Sequence, residues 1–557
     1  MADKADMVIL GGRVLTMDEA RPRAEAVALR AGRIMAVGST EAIRALMGPA
    51  TREVDAGGKT VLPGFIDSHV HLFQGSASLD FLDLSAVRGR DELARAVRAY
   101  AEARPDEPLI VGTGTNYGLL DGKNPTRHDL DPILADRPVA LLAPDIHTLW
   151  ANTVALERAG LLHGAPMPEG SIVVMDADGT ATGELLETGA FGPVLKLSRT
   201  GGRDMLGYVT GADPEPPVTA AERAADRALI ARGMAHAASH GITSMHNMDG
   251  NFYQLELLEE LEAEGKLLTR MQVPFHLKNF DPVDRLEEAV EMRRRWASDT
   301  ISSGRVKMFM DGVVESRTAL MLRPYPDSPG NTGEAVFSPE PFNEACIKAD
   351  ALGLQICVHA IGDLAIRRTL DGYEAARKAN GPRDSRHRVE HIEILHPDDL
   401  PRFMELGVVA SMQPRHAAFA GFFDPPAPGT AFHDDQLALA FPWARLREAG
   451  VPLVFSTDWP VVPVDVMPNI QSAVAPLDLG PGWGDQRQGL MDTLASYTRG
   501  NAWVEFAEDR KGMLREGYLG DVVVMDHDLE AMGPDTLGQA RAALTICGGQ
   551  VTYEAGA

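Results

Sequence analysis

The chain has 557 residues, of which 45% are hydrophobic and 24% charged, with three cysteines. This is ordinary globular composition; it excludes a disordered, collagenous or coiled-coil chain, and the length implies several domains or one large barrel with insertions. The net charge of -26, from 79 acidic against 53 basic residues, argues against a nucleic-acid partner, which needs a basic footprint, and against docking on an anionic membrane.

Cys346, Cys357 and Cys547 are too few and too irregularly spaced for a disulfide framework or a zinc ribbon, and they fit a reducing compartment. The start, MADKADMVIL, carries no apolar signal core, and no run approaches the ~18 apolar residues of a membrane helix. A cytoplasmic location is expected.

In chain order, the first 60 residues read as short strands: DMVILGGRVLTMD and AVALRAGRIMAVG are apolar runs broken by Gly-Gly and Ala-Gly turns. The last 45 read alike, through GYLGDVVVMD and ALTICGGQVTYEAG. Neither end builds a stable sheet alone. Residues 1–62 and 508–557 are therefore expected to form one β-sandwich.

Residues 63–507 alternate strands with helical segments, the pattern of a parallel α/β fold. Eight core strands are expected, in TVLPGFIDSHVH, GITSMHNMD, LTRMQVPFHL, RVKMFMDG, LQICVHA, SRHRVEHI, VVASMQP and PLVFSTDWP. Polar residues at their C-terminal ends suggest a (β/α)8 TIM barrel with its chemistry on that face. About 160 residues separate the first strand from the second. Residues 73–220 thus read as an insertion capping the barrel mouth, with strands PLIVGTGT, PVALLAPD and GSIVVMDADG and a Pro-rich exit, GADPEPPVT.

His69-x-His71 ends the first core strand. Residues i and i+2 of a strand share a face, so two imidazoles converge as a divalent metal requires. His359, His391 and Asp458 each follow a later apolar run. Any one alone reads better as a capping or satisfied polar residue; in consecutive order at strand ends they read as ligands. His236 and His240 have the i, i+4 spacing of a zincin helix, but Ala237 stands where the glutamate is needed, so they read as structural. GTGTNYG lacks the glycine spacing and acidic partner of a dinucleotide fingerprint.

With these residues in place the chain resembles the amidohydrolase superfamily, and within it the YtcJ-like amidohydrolase family. The resembling segments are VLPGFIDSHVH, GITSMHNMD, VKMFMDGVVESRTA, VHAIGDLAIRRTLDGYE, HRVEHIEILHPDD, SMQPRH, FSTDWPV and GYLGDVVVMDHD. The resemblance implies a barrel with a binuclear metal centre, zinc by default and two ions per chain. His69, His71 and Asp458 would hold one ion, His359 and His391 the other. Lys307 would bridge them as a CO₂-derived carbamate, since burial among positive neighbours depresses an ammonium pKa. Pairing of Lys307 with Asp311 or Glu315 is the alternative. Asp458 would take a proton from metal-activated water. Dimers are common in similar proteins, so a homodimer is an expectation.

For substrate contacts, DIHTLWAN resembles the segment folding over such active sites, which nominates His147 and Trp150; the alternative is that both belong to the insertion's core. His246, Arg317, Gln413 and Trp459 follow barrel strands, and Asp363 is a candidate to orient His359. The function expected is hydrolysis of a C–N bond in a small-molecule amide, N-substituted formamide, carbamate or cyclic amide. The alternatives are a heterocycle deaminase, disfavoured because many place Glu where Gly362 stands here; an esterase or lactonase; and an inactive scaffold, disfavoured because every ligand position is filled.

Overall fold

The computed structural model describes residues 4–144, 146–168, 170–417 and 431–556. Its central feature is a run of parallel strands. We label them β1 (Phe65–Val70), β2 (Ile242–Asn247), β3 (Arg270–Gln272, resuming at Phe275–His276), β4 (Arg305–Phe309), β5 (Gln355–Ala360), β6 (Arg388–His391), β7 (Val409–Met412) and β8 (Leu453–Phe455). β1, β2 and β5 are buried throughout, as strands covered on both faces must be. β3 splits the ladder. Its first half pairs with β2, its second with β4, and Pro274 between them has no N–H to donate. From β4 to β8 the pairing is continuous and parallel. The two ends of the ladder meet where His71 N donates to Trp459 O at 2.7 Å and Asp458 N donates to His69 O at 2.8 Å. This is a TIM-barrel-type α/β fold.

Helices lie between the strands for local reasons. Pro339–Ala351 precedes β5, with Ser338 as N-cap and Pro339 at the first position, where its missing N–H costs nothing. Ala220–Ala238 precedes β2 and starts on a Thr219/Glu222 capping box immediately after the Pro-rich segment. None of the described helices is long and apolar enough to cross a membrane.

The insertion has its own six-stranded sheet, which adds Leu82–Asp83, Thr148–Ala151 and Ala181–Leu186 to the three strands read from sequence. Alternation along it feeds two cores: Ala140 and Leu142 pack with Leu149 and Phe191, while Val139 and Leu141 pack with Leu93 and Trp150.

The chain ends meet in a further sheet, where Thr60–Pro63 pairs antiparallel with Val522–Met525. GDVVVMD works in both directions: Val522 and Val524 pack with Ile9, Val27 and Ile546, whereas Val523 and Met525 pack against the barrel. Asp521, just before them, accepts from Arg270 Nε and Nη2 at 2.8 and 2.9 Å and from Gly548 N at 2.7 Å, tying β3 to the terminal sheet.

Candidate metal centre

His69, His71, Lys307, His359, His391 and Asp458 line one cavity of about 60 Å³ at the C-terminal ends of the strands. His391 and Asp458 hold φ of 76° and 63°, a left-handed backbone that non-glycine residues adopt at a cost of order 1–3 kcal/mol and only where the surroundings dictate it. Asp458 is central. Its Oδ1 lies 3.4 Å from His69 Nε2 and 3.3 Å from His71 Nε2, and its Oδ2 lies 3.8 Å from His416 Nε2. Two groups of donor atoms share it: His69, His71 and Asp458, and His391, His416 and Asp458.

Each imidazole is oriented from behind. Glu390 takes His69 Nδ1 at 2.8 Å, Asp249 takes His71 Nδ1 at 3.1 Å, and Gln413 Oε1 takes His391 Nδ1 at 2.9 Å. The Gly312 carbonyl takes His359 Nε2 at 3.0 Å. Such partners fix the tautomer and turn the other ring nitrogen toward the cavity.

Burial pushes His69 down to about 4, and burial with neighbouring imidazoles or Lys307 holds His359 and His391 well below the usual range, so all three are neutral donors. His71 differs. Burial lowers it, but Asp249 and Asp458 on its two nitrogens outweigh that and raise it to about 9. Positive charge is favoured at its cavity-facing nitrogen. Burial also lowers Lys307, whose Nζ has no hydrogen-bond partner. Neither carboxylate considered for Lys307 claims it through a hydrogen bond to Nζ; Asp311 instead accepts from the backbone N–H groups of Leu320, Ile361 and Gly362.

His69 Nε2, His416 Nε2, Asp458 Oδ1 and Lys307 Nζ are all buried without a hydrogen-bond partner. Four orphaned polar atoms at one cavity are costly unless something binds them. Three are Lewis bases as they stand and the fourth becomes one once neutral, so the set fits a divalent cation.

Of the residues nominated for substrate, His147 lines the cavity, its ring centroid 6.5 Å from that of His359. The others are corrected. Trp150 is fully buried in the insertion, donating to Glu184 at 3.0 Å. His246 is fully buried below the site, 3.2 Å from Glu505 and 3.3 Å from an Arg388 nitrogen. Arg317 turns outward to Asp327. Gln413 supports His391 rather than the cavity wall. Trp459 packs its ring over Gly75, where a Cβ would stand 2.6 Å from the indole. Asp363 accepts from Leu322 N at 2.7 Å and Leu364 N at 2.9 Å and is not hydrogen-bonded to His359, a task that falls to Gly312 O. His236 and His240 sit on and just beyond the helix before β2, outside the cavity.

Sequence reasoning missed His416, Glu390, Asp249, Tyr208 and Glu393, and it named Glu315, which lines the cavity, only as a possible partner of Lys307. His416 follows β7 in a 3-10 turn, where no periodicity marks a ligand. Glu390 is readable only as the neighbour of His391.

A parallel barrel-type fold with a buried imidazole, carboxylate and lysine cluster at its strand ends defines the class: a metal-dependent hydrolase. More narrowly, the chain belongs to the amidohydrolase family, whose profile matches residues 52–553. It is 30% identical to YtcJ of Bacillus subtilis, named as a putative amidohydrolase, over 98% of both chains. It is 25% identical to the N-substituted formamide deformylase of Arthrobacter pascens, over 100% of this chain and 99% of that one. Among solved structures, an uncharacterized metal-dependent hydrolase from Pyrococcus horikoshii matches with a TM-score of 0.72 at 26% identity, over 95% of this chain and 98% of that one.

Proposed function

We propose that the protein is a metal-dependent amidohydrolase cleaving the C–N bond of a small amide, N-substituted formamide, carbamate or cyclic amide, on a (β/α)8 barrel whose mouth the insertion covers. The observation that carries this is the convergence of orphaned buried donor atoms on one cavity. The similarity to a formamide deformylase along the whole chain supports the substrate class.

His69, His71 and Asp458 would hold one ion; His391 and the newly found His416, with His359 beside His391, would hold a second, and Lys307 would serve as a carbamate ligand. Zinc suits a set dominated by imidazole. A divalent metal bound there supplies Lewis acidity toward the carbonyl and acidifies water. The remaining work belongs to the chain. Asp458, whose carboxylate sits among His69, His71 and His416, would move a proton to the leaving nitrogen. Glu390, Asp249, Gln413 and Gly312 O keep the imidazoles in their binding tautomers. Ile146, Phe309, Val313, Ile361 and Val461 form the apolar wall that excludes bulk water.

A deaminase fits less well. A Cβ at Gly362 would lie 2.1 Å from the Leu320 carbonyl oxygen, so the glutamate position of such enzymes has no room for a side chain. The test is a panel of formamides, amides, carbamates, cyclic amides and carboxylic esters, with released amine, acid or alcohol as readout and with chelation and metal restoration as the control. Amine release that disappears on chelation and returns with metal supports the reading. Turnover of esters alone, or of amides in metal-free protein, contradicts it.

A further inference from the structure

A second cavity, of about 180 Å³, lies at the opposite end of the barrel, among the turns that lead into β4 and β5, and it shares no lining residue with the metal cavity. In a chain of net charge -26, its charged residues are three arginines and one glutamate: Arg293, Arg305, Arg383 and Glu505. The glutamate is answered by Lys511, whose Nζ lies 2.5 Å from its Oε1, and Arg383 is paired with Asp350. The other two arginines have no carboxylate partner among the described residues. Arg293 donates only to the Gly353 and Leu352 carbonyls, both at 3.1 Å. Arg305 begins β4, is 5% exposed, and has both Nη atoms buried without a hydrogen-bond partner. A guanidinium stays charged at neutral pH, so Arg305 is an unanswered buried cation, which costs stability unless something binds beside it.

The surroundings are shaped around these groups. Arg293 fits because two glycines make room for it: a Cβ at Gly304 would stand 3.2 Å from its Cδ, and one at Gly353 would stand 3.5 Å from its Nη1. Gln355 faces Arg305 directly across the β4–β5 ladder. Its Nε2 donates to the Arg386 and Val504 carbonyls at 2.7 and 2.8 Å, which fixes the amide and leaves Oε1 buried without a partner. Gln272 Oε1, on the same wall, is orphaned too. The cavity therefore gathers cationic donors and neutral acceptors that nothing in the fold satisfies, with room well above the ~10–15 Å³ that one water needs. Gly353, Arg383 and Phe506 are exposed at its edge, which gives a solute a way in.

We propose that this cavity is a binding site for a small oxyanion that keeps a hydroxyl group, the class to which inorganic phosphate belongs. Arg293 supplies charge-assisted hydrogen bonds to its oxygens at the entrance, and Arg305 supplies the buried countercharge beneath. The anion's hydroxyl is the donor that the glutamine carbonyls lack. Sulfate matches phosphate in shape and charge but brings no donor. The site stands apart from the hydrolytic centre and does not depend on the reading of that centre.

The test is calorimetric titration of inorganic phosphate, and separately of sulfate, into the full-length protein at saturating metal, with thermal denaturation in the same buffers. The wild type should bind phosphate about tenfold more tightly than sulfate, and its thermal midpoint should rise with phosphate concentration. Arg293→Gln should weaken phosphate binding by about tenfold or more while metal content stays that of the wild type. Arg305→Met should abolish the phosphate-dependent rise. In phosphate-free buffer this variant should melt no lower than the wild type, because it removes an unpaired buried charge. A markedly lower midpoint would show that Arg305 is already answered within the fold and overturn the proposal. Absence of phosphate binding by the wild type overturns it as well, and so does sulfate binding as tight as that of phosphate. Phosphate binding equally tight in both variants, the result expected if the metal centre holds the anion, also overturns it.

Discussion

Glu390 joins the candidate metal centre to the polar interior of the barrel beneath it, so Glu390→Gln tests both at once. Its carboxylate receives His69 Nδ1 at 2.8 Å and pairs with Arg388, with Nε to Oε1 at 2.7 Å and Nη2 to Oε2 at 2.9 Å. All three side chains are essentially without solvent exposure. Burial alone would raise this carboxyl, but Arg388 and the His69 N–H hold it well below the usual range. The amide keeps the shape and loses the charge. Removing an outer partner of a metal-binding imidazole weakens metal binding about 10–100-fold, which is about 1.4–2.7 kcal/mol. Depriving buried Arg388 of its anion costs about 3–5 kcal/mol of stability, with the retained amide oxygen keeping the loss near the lower end. The first effect is read by competition with a chelator of known affinity, the second by thermal denaturation at saturating metal. Gln413→Ala, which removes the partner of His391 but no charge, should show the affinity loss with a smaller stability loss. If Glu390→Gln loses stability but binds metal as the wild type does, Glu390 serves Arg388 alone and His69 is not a ligand it orients.

Three further outcomes are expected. Asp521→Ala leaves Arg270 buried without its carboxylate, so it should cost about 3–5 kcal/mol and lower the thermal midpoint, while metal content in the folded fraction stays that of the wild type. His416→Ala should reduce metal content or affinity by about tenfold or more, whereas His246→Ala should leave metal content intact, as metal analysis of the two proteins side by side will show. Asp204 in the insertion is raised by burial from 3.8 to about 6, so the folded state binds more protons than the unfolded chain between those values. Its contribution to stability is present at low pH and lost as pH rises through about 6. Relative to Asp204→Asn, the wild type should therefore lose up to about 3 kcal/mol between pH 4 and 7. A pH-independent difference in thermal midpoint would show that Asp204 is not buried as described.

Much of the site was legible because strand geometry leaves a mark in sequence. His69-x-His71 follows from the two-residue repeat, and Lys307, His359, His391 and Asp458 each end or follow an apolar run that becomes a barrel strand. The misses have equally definite causes. Glu390 and His391 are adjacent, and on a regular strand they would face opposite ways; the positive φ of His391 breaks that alternation and lets both serve the centre. His246 ends its strand as a rim residue would, but its ring meets Glu505, 259 residues away, a partner that no local pattern announces. Arg317 reads as a rim residue after the fourth core strand, but it lies in the loop well past Phe309, at φ 62°, with its side chain on Asp327. The pairing of the two chain ends was readable because each end alone lacked a stable sheet. The second and fourth valine-strand contacts with the barrel were not, since alternation specifies faces and not what covers them.

The central claim is that these side chains hold a binuclear centre bridged by Lys307. Its most direct test is the metal content of the purified full-length protein beside that of Lys307→Arg. The guanidinium stays protonated and cannot take up CO₂, so the bridge is lost while bulk and charge remain. The account predicts close to two divalent ions per chain in the wild type, at most one in the variant, and a preserved fold by circular dichroism. Two ions retained by Lys307→Arg would contradict the bridge, and a wild-type protein that binds no divalent metal at any supplied concentration would contradict the centre itself.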